Sequence, residues 1–457
     1  MSATAISISF LGGAGTVTGS KTLIAYAGRK LMVDCGLFQG LKALRLLNRE
    51  PLSVAPAAIG TLIVTHAHLD HIGYIPLLVK NGFAGRIYAT RPTCELARVI
   101  LNDSAKLQEE EAFLANRYGY SRHAPAQPLY TVKDAEFALS FFTPAEDVVW
   151  NRLDADCSFR FLKNGHILGS AFVELMVMNK KFVFSGDLGR PISLLMEPPA
   201  RIKEADYLIL ESTYGDRDHK RVSTDTELAD IVNLALRKKG NLIIPTFAVE
   251  RAQEIMFVLN RLREKKMIPE SLPVYLDSPM GIDVTRIMMK YPQWHKLSDD
   301  SCRQVFSGVR MVSELRDTMN IIRDKSPKII IAGSGMLSGG RALEYLKAHL
   351  GNRRTTVLFV GYQAEGTRGR ALLQGAKEIK IHGRYYTVRA GIKELSYFSG
   401  HADRTEILEW LSYFKERPGR IFLNHGEPAS SDALRKLIDE KKGWECHIPL
   451  LNSRFEL

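Results

Sequence analysis

The strongest chemical signal in the sequence is a group of four metal-ligand residues within one short segment: His66, His68, Asp70 and His71. Imidazole nitrogens and carboxylate oxygens are ligands that zinc and similar ions take in proteins. A loop can aim neighbouring side chains in different directions, so one segment can serve two metal ions. Only 12 of 457 residues are His, and three of them lie here, which favours a metal site over a polar loop that is rich in His by chance. The pattern predicts a metal-dependent hydrolase.

Further polar residues stand where other predicted strands end. The four-residue cluster itself follows an apolar, β-branched run, 61–64, which predicts a buried strand. The other residues at strand ends are Asp34, His166, Asp187, Glu211, His401 and His425. Glycine lies close to each of them and lets backbones approach closely at a site. A lone Asp or His at a strand end is usually a turn residue, but a series of them is better explained by one shared site.

The sequence predicts two types of secondary-structure arrangement that could position these residues. Residues 1–213 are rich in predicted strands with helices outside them, which is typical of a sandwich covered by helices. Residues 214–385 contain four successive strand–helix units, which predict a parallel sheet. No Gly-x-Gly-x-x-Gly fingerprint opens the first unit, which argues against a dinucleotide cofactor. The first pattern resumes in 386–457, so we expect one domain interrupted by an inserted one.

Length and composition fit a protein of more than one domain in a reducing compartment. A chain of 457 residues is too long for one compact core, and 45% hydrophobic and 25% charged residues are ordinary for a globular protein. The five Cys are widely spaced and form no Cys-x-x-Cys pair, which fits the cytosol. The N-terminus lacks a signal-peptide pattern, and no apolar run approaches the length of a membrane span. We therefore expect a cytoplasmic protein without a membrane partner.

Positive charge is concentrated in the middle of the chain. The formal net charge is +12, and residues 214–385 contain 29 Lys and Arg against 19 Asp and Glu. The rest of the chain contains 33 against 31. A basic domain suggests a polyanionic partner such as nucleic acid, but a solubilising surface explains the charge equally well.

Taken together, the motifs resemble those of the β-CASP branch of the metallo-β-lactamase superfamily. Asp34, the 66–71 cluster, His166 and Asp187 match the motifs of the superfamily in order, and Glu211, His401 and His425 match three β-CASP motifs. The resemblance covers nearly the whole chain. It implies an α/β fold in which an αββα metallo-β-lactamase sandwich holds an inserted parallel α/β β-CASP domain. His at the third β-CASP motif resembles the RNA-processing members, such as the nuclease subunit of the cleavage and polyadenylation machinery and its compact prokaryotic relatives.

The resemblance also implies a site and a mechanism. His66, His68 and His166 would hold one zinc ion, Asp70, His71 and His425 a second, and Asp187 would bridge the two. A hydroxide between the metals would attack phosphorus and leave a 5′-phosphate and a 3′-hydroxyl. His401 would protonate the leaving oxygen, Glu211 would orient His401, and Asp34 would steer a ligand His. A structural His at a helix start is the alternative for His401.

Two Gly-rich segments of the inserted domain are predicted to bind single-stranded RNA. Each lies between a strand and a helix, where free backbone N–H groups bind phosphate well and where parallel α/β folds place ligands. The residues expected to contact RNA are Ser338, Gly339, Gly340, Arg341, Thr367 and Arg370. Glycine before a helix is also common without any ligand. The sequence is compatible with a homodimer and does not set the oligomeric state.

Two other functions compete with a zinc-dependent ribonuclease. A small-molecule hydrolase of the glyoxalase II or lactonase type would share the sandwich and the metals, but it would not need a basic insertion, Glu211 or His401. A non-catalytic RNA-binding scaffold would be expected to have lost metal ligands, whereas all seven are present. The motifs do not separate an endonuclease from a 5′-exonuclease.

Overall fold

The computed structural model describes residues 6–119, 123–219 and 224–457, apart from the side chains of residues 224 and 396. The chain divides into two compact units. The first consists of Met1–Asp218 and Gly400–Leu457, and the second consists of His219–Ser399. In the described parts of the chain, no helix is both long and apolar enough to cross a bilayer.

The secondary-structure elements follow the chain in three segments. The first segment of the first unit contains β1 (Ser7–Gly12), β2 (Lys21–Tyr26), β3 (Arg29–Val33), α1 (Lys42–Leu47), β4 (Thr61–Ile63), α2 (Leu69–Ile72), α3 (Ile75–Lys80), β5 (Arg86–Thr90), α4 (Arg91–Tyr118), α5 (Val132–Leu139), β6 (Phe142–Ala145), β7 (Asn151–Arg152), β8 (Cys157–Lys163), β9 (Ala171–Val177), β10 (Lys180–Phe184) and β11 (Tyr207–Glu211). The second unit contains α6 (Thr224–Arg237), β12 (Leu242–Thr246), α7 (Arg251–Glu264), β13 (Val274–Asp277), α8 (Pro279–Lys290), α9 (Asp299–Ser307), β14 (Arg310–Val312), α10 (Leu315–Arg323), β15 (Ile329–Gly333), α11 (Gly340–His349), β16 (Thr356–Phe359), α12 (Arg368–Leu373), β17 (Glu378–Ile381), β18 (Arg384–Thr387) and β19 (Gly391–Glu394). The chain then returns to the first unit with α13 (Arg404–Leu411), β20 (Arg420–Asn424), α14 (Pro428–Lys442), β21 (Cys446–His447) and β22 (Arg454–Glu456). Short 3₁₀ helices span Pro56–Ala58, Pro292–Trp294 and Ser396–Phe398.

The first unit is a sandwich of two sheets. Among its described residues, one sheet has the order β22-β1-β2-β3-β4-β5-β6 and the other has the order β21-β20-β11-β10-β9-β8-β7. Alternate strand residues from both sheets, such as Phe10, Ile24, Phe159 and Phe182, are buried together in the core between them. Such alternation follows from the period of two in a strand. The sandwich predicted from the sequence is confirmed.

Helices cover both outer faces of the sandwich. On the second sheet, Trp410 of α13 stacks on Phe172 of β9, with ring centroids 5.1 Å apart, and Leu434 of α14 is fully buried in the same core. On the first sheet, α4 packs against β5 and β6, and α5 packs against α3 and α4. Thr90 caps the N-terminus of α4, because its side chain accepts a hydrogen bond from the N–H of Thr93. The αββα arrangement fixes the strand ends that carry the polar motifs.

The second unit is built around a parallel sheet. Within the described residues, its order is β14-β13-β15-β12-β16-β19, and every neighbouring pair is parallel. The four strand–helix units predicted from the sequence supply β12, β13, β15 and β16. From β12 the chain first forms β13, β14 and β15 on one side of that strand and then β16 and β19 on its other side. Other open α/β sheets change sides in the same way. One face of the sheet shares a buried core with α10, α11 and α12.

The unit boundaries differ from the predicted positions 213 and 385. The second unit continues to Ser399 because β19 pairs with β16 and so completes the parallel sheet. A boundary at 385 would cut through β18, which pairs with β17 in a separate hairpin. The predicted strand that ends at His401 is wrong, because Ser396–Phe398 forms a 3₁₀ helix there.

Candidate metal centre

Strand ends of the first unit bring the polar motifs to one place. β10, β11 and β20 are neighbouring parallel strands, so their carboxyl ends lie at the same sheet edge. Asp187 follows β10, Glu211 ends β11 and His425 follows β20. From the opposite sheet, the loop after β4 carries His66 and His68, and the first turn of α2 carries Asp70 and His71. His166 lies in the loop after β8.

The first group of potential ligand atoms comes from His66, His68, His166 and Asp187. His68 Nδ1 lies 3.1 Å from Nε2 of both His66 and His166. Asp187 Oδ2 lies 3.2 Å from His66 Nε2, 3.3 Å from His166 Nε2 and 4.0 Å from His68 Nδ1. A tetrahedron of ligands about 2.0–2.1 Å from a zinc ion has edges of about 3.3–3.4 Å. The four atoms therefore fit one tetrahedral ion.

The second group comes from Asp70, His71 and His425, with the other oxygen of Asp187 beside it. His71 Nε2 lies 3.2 Å from His425 Nε2 and 3.2 Å from Asp187 Oδ1. His425 Nε2 lies 3.5 Å from Asp70 Oδ2. These spacings again suit ligands of one ion, and the two groups share only Asp187.

Asp187 supplies the clearest sign that a cation belongs here. Its side chain is 1% exposed, and within the described residues no donor meets hydrogen-bond geometry at Oδ1, although His71 Nε2 lies 3.2 Å and His425 Nδ1 3.4 Å from it. A buried carboxylate oxygen without a donor is costly unless a cation or another positive group compensates it. Burial would raise the pKa of Asp187, but nearby imidazoles, with His425 and His71 first, hold it well below its usual range. A charged carboxylate placed between two ligand groups fits a bridging role.

The imidazoles of the first group are held in the form that binds metal. Burial lowers the pKa of His68 to about 3 and also lowers the pKa of His66 and of His166. A neutral imidazole keeps a nitrogen lone pair for a metal ion. His166 uses its other nitrogen, Nδ1, to donate to the carbonyl of Gly400 at 3.1 Å. Such a bond fixes the ring and leaves Nε2 directed at the site.

Asp34 contacts the second group through His71. Its Oδ2 accepts a hydrogen bond from His71 Nδ1 at 2.8 Å, and its Oδ1 accepts one from the backbone N–H of Thr65 at 2.8 Å. One carboxylate therefore orients the ring of His71, a candidate ligand, and holds the segment that leads to His66. Asp34 and His425 both adopt positive φ, at 59° and 49°. Such backbone conformations are uncommon for residues other than glycine and mark sites where the surroundings enforce them.

His401 lies beside the ligands and not among them. Its Nδ1 donates to Glu211, whose two oxygens lie 3.0 and 3.1 Å away, and its ring centroid lies 4.7 Å from that of His166. Burial lowers the pKa of His401, but the carboxylates of Glu211 and Asp187 outweigh burial and raise it to about 9. Bound metal cations would lower that pKa by charge repulsion. The pairing of His401 with Glu211 fits a proton donor with a fixed tautomer.

Comparisons with known proteins agree with this geometry along nearly the whole chain. Family models match residues 14–223 as "Metallo-beta-lactamase superfamily", 252–372 as "Beta-Casp domain" and 385–449 as "Zn-dependent metallo-hydrolase RNA specificity domain". Ribonuclease TTHA0252 of Thermus thermophilus is 36% identical over an alignment of 437 residues that covers 93% of this chain and 94% of that protein. The chain belongs to the β-CASP family of the metallo-β-lactamase superfamily.

More distant relatives extend the comparison. Transcription termination factor FttA of Methanocaldococcus jannaschii is 31% identical over 97% of this chain and 70% of that protein. FttA of Methanococcus maripaludis is 32% identical over 92% of this chain and 66% of that protein. A crystal structure of a protein of unknown function from Enterococcus faecalis V583 matches 99% of this chain and 100% of that chain with a TM-score of 0.52. At 12% identity, that likeness shows the fold alone.

The β-CASP site also uses residues that sequence reasoning did not single out. Asn164 is fully buried, and its Nδ2 donates to the carbonyls of Ser185 and Asp187 at 2.9 Å each. Arg190 forms a buried ion pair with Glu406, whose Oε1 lies 3.0 Å from the Arg190 Nη2. The hydrogen bonds of Asn164 hold the backbone at Ser185 and Asp187 in place. The ion pair links the segment after Asp187 to the first turn of α13. The sequence signal for Asn164 was its place directly before Gly-His, but nothing in the sequence pairs Arg190 with Glu406.

Several groups of the two Gly-rich segments in the second unit, which were predicted to contact RNA, form hydrogen bonds within the protein. The N–H groups of Ser338 and Gly339 donate to Ser334 Oγ at 3.0 and 3.3 Å, so these two N–H groups are not free. Arg341 donates to Thr318 Oγ1 at 2.7 Å and to the carbonyl of Ser313 at 2.9 Å. Arg341 therefore has a structural role.

The second segment is similar. Thr367 caps α12 by accepting from the N–H of Arg370 at 3.2 Å, and Arg370 Nη1 lies 3.4 Å from the carbonyl of Gln363. Ser338 and Gly340 remain exposed at the surface. Contact of these segments with RNA stays a prediction.

Proposed function

We propose that the chain is a ribonuclease that uses two zinc ions to hydrolyse phosphodiester bonds of single-stranded RNA, leaving a 5′-phosphate and a 3′-hydroxyl. The observation that carries the proposal is the pair of ligand groups that share the buried carboxylate of Asp187. Membership of the β-CASP family, with a match to an RNA specificity domain, supports RNA as the substrate. A relative that shares 36% of its residues is named a ribonuclease.

The residues of the two groups would hold the ions as follows. His66, His68 and His166 would hold one zinc ion; Asp70, His71 and His425 would hold the other; Asp187 would serve both. The donor set of imidazoles and carboxylates suits zinc. When bound, two such ions supply Lewis acidity that activates water and offsets charge on the phosphodiester.

The protein's own residues would then handle the leaving group. His401 carries a proton that the 3′-oxygen needs when its bond to phosphorus breaks. Because Glu211 holds Nδ1, the proton would be delivered from Nε2 of His401. Glu211 therefore acts by orienting His401, and Asp34 acts by orienting His71.

The two competing functions fit the molecule less well. A glyoxalase II or lactonase type of hydrolase does not account for the β-CASP domain match or for the pairing of Glu211 with His401. A non-catalytic scaffold does not account for seven candidate ligands that lie within contact distance of one another in two groups. Hydrolysis of RNA by the protein is the function that both the site and the family support.

The expected cytoplasmic location and the homodimer are further proposals. All five Cys are free thiols in the structure, which is compatible with a reducing compartment. Sedimentation of the purified protein would decide the oligomeric state.

The test of the proposed function uses a labelled single-stranded RNA and a circular form of the same RNA. We expect the zinc-loaded protein to hydrolyse the linear RNA and to leave 5′-phosphate ends that a phosphatase removes. Opening of the circle would identify an endonuclease, whereas cleavage confined to the linear RNA would identify an exonuclease. Turnover of lactones or thioesters by a protein that leaves both RNAs intact would contradict the proposal.

A further inference from the structure

The second unit carries a small β-hairpin outside its parallel sheet. β17 and β18 pair with each other, and His382 and Gly383 join them with φ of 45° and 81°. Positive φ at both turn residues is typical of a type I′ hairpin. On one face, Ile379 and Ile381 are buried in the core beside α12. The hairpin is therefore anchored, and its other face points outward.

The outward face combines an exposed aromatic ring with unpaired positive charge. Tyr385 is 65% exposed and lies directly opposite Lys380, whose Nζ is 5.6 Å from the ring centroid. Lys377, Arg384 and Arg389 are also exposed on or beside the hairpin, and Glu378 is the one acidic residue between 376 and 390. In the described parts of the chain, none of the four cations has an ion-pair partner.

Several exposed cations of the first unit are paired with carboxylates, unlike those of the hairpin. Lys180, Arg404 and Arg435 are exposed cations of the first unit, and each lies within 3.0 Å of a carboxylate oxygen. Charge is also divided unequally between the units. Residues 219–399 contain 30 Lys and Arg and 18 Asp and Glu, a net +12, while the remaining residues contain 32 of each. The hairpin thus presents unpaired cations on the unit that carries all of the excess charge.

Single-stranded nucleic acid is recognised by this combination of features. Bases stack on exposed aromatic rings, and neighbouring Lys and Arg contact the phosphates. In a duplex the bases are already stacked and paired, so an isolated surface Tyr has no base face to meet. We propose that the outward face of the β17–β18 hairpin binds single-stranded RNA, with Tyr385 stacked on a base and Lys380, directly opposite it, on a flanking phosphate. This inference rests on the proposed ribonuclease function.

The hairpin is joined to a loop already expected to contact RNA. Arg368 Nε donates to the carbonyl of Lys380 at 2.7 Å, and its Nη1 donates to the carbonyl of Leu337 at 2.9 Å. One guanidinium therefore fixes the hairpin beside the exposed residue Ser338. RNA bound on the hairpin would lie next to that loop on the surface of the same unit.

The test compares RNA binding by full-length, zinc-loaded variants in a His401→Ala background, which slows cleavage during the measurement. The ligand is a fluorescent oligoribonucleotide of mixed sequence, alone or in a duplex. Tyr385→Ala should weaken binding of the single strand by roughly 5- to 150-fold and leave binding of the duplex unchanged. Tyr385→Phe should bind like the parent, because the ring is retained.

The charge of Lys380 gives a second, independent readout. Replacing Lys380 by Ala should reduce the slope of log affinity against log salt by about 0.7, which is the contribution of one phosphate contact for a single strand. Tyr385→Ala should leave that slope unchanged.

The matched control is Tyr118→Ala. Tyr118 is 66% exposed and has the Arg117 guanidinium 5.6 Å from its ring centroid, but it ends α4 in the first unit. Unchanged affinity in Tyr385→Ala, an equal loss in Tyr118→Ala, or an equal loss for the duplex would each overturn the hairpin proposal while the parent still binds RNA. A wild-type protein that neither binds nor cleaves RNA would instead overturn the proposed function.

Discussion

At the scale of single residues, the site separates two histidines whose sequence contexts are alike. His401 and His425 both precede small residues near the C-terminus. In the structure, His425 Nε2 lies 3.2 Å from His71 Nε2 among the ligand atoms, whereas His401 Nδ1 is bonded to Glu211. The position of His425 suits metal binding, and the position of His401 suits proton transfer.

That difference predicts two distinct mutant phenotypes. His401→Ala should keep both metal ions and its RNA affinity, while cleavage slows by roughly 10²–10⁴-fold. Most of the loss should disappear on a nitrophenyl phosphodiester, because a nitrophenolate leaves without a proton. His425→Ala should lose metal and activity together on either substrate. Elemental analysis and the two rate measurements check the prediction.

Glu211→Gln provides the graded control. It keeps the size of the side chain but weakens the bond to His401 Nδ1, so it should show the His401→Ala pattern with a smaller loss. A His401→Ala protein that lacks metal, or that is equally slow on both leaving groups, would show that His401 is not the acid.

The sequence indicated which of these residues lie close together better than it indicated their geometry. Spacing and residue type were enough to identify His66, His68, Asp70 and His71 as one cluster. His66 directs Nε2 into the site, whereas His68 directs Nδ1. Which ring nitrogen faces the site depends on the path of the backbone in the loop, and that path cannot be read from the sequence. The positive φ of Asp34 was also not predictable, because Asp seldom adopts it without tertiary enforcement.

At the scale of elements, close packing between the loop after β3 and helix α2 sets the position of two candidate ligands, Asp70 and His71. An added Cβ on Gly36 would lie 1.5 Å from the carbonyl oxygen of Asp70 and 2.6 Å from the N of His71. The same segments are tied by hydrogen bonds from Ser20 N to Asp70 O and from Cys35 N to His71 O. Only glycine at position 36 lets these backbones meet.

Gly36→Ala should therefore displace α2 and damage the second ligand group. We expect a lower melting temperature and a loss of metal, measured by thermal unfolding and elemental analysis. Gly28→Ala is the matched control, because Gly28 has positive φ but no atom within 4 Å of an added Cβ. It should cost only the strain of about 1–2 kcal/mol and should keep its metal. Equal metal content in both variants would contradict the packing argument.

Elements set by periodicity were predictable, and those set by long-range pairing were not. β12, β13, β15 and β16 are apolar runs followed by helical patterns, and they were found from the sequence. β19 and the β17–β18 hairpin are short and largely exposed, so they lack a strong apolar signal. Before His401 the sequence suggested a strand, but the buried apolar residues there are Leu395 and Phe398, three positions apart. That spacing suits the three-residue turn of a 3₁₀ helix.

At the scale of the whole molecule, metal binding should be linked to stability. The ligand groups join both sheets of the sandwich, and they do not exist in an unfolded chain. A ligand that binds only the folded state at 100 times its dissociation constant stabilises it by about 2.7 kcal/mol. Chelation should therefore lower the melting temperature of the protein by roughly 3–5 °C.

Asp187→Ala is the control for that linkage. Without the shared carboxylate, calorimetry should give the same melting temperature with and without zinc, close to that of the chelated parent. A zinc-dependent shift that persists in Asp187→Ala would mean that the stabilising metal binds elsewhere.

The most direct test of the account is a zinc titration of the metal-free protein followed by RNA hydrolysis at each point. With two ligand groups around Asp187, hydrolysis should rise until two equivalents of zinc are bound and then stay level, and Asp187→Ala should remain inactive throughout. Full activity with one equivalent, or activity that persists without any metal, would contradict a ribonuclease site built on two ions and one shared carboxylate.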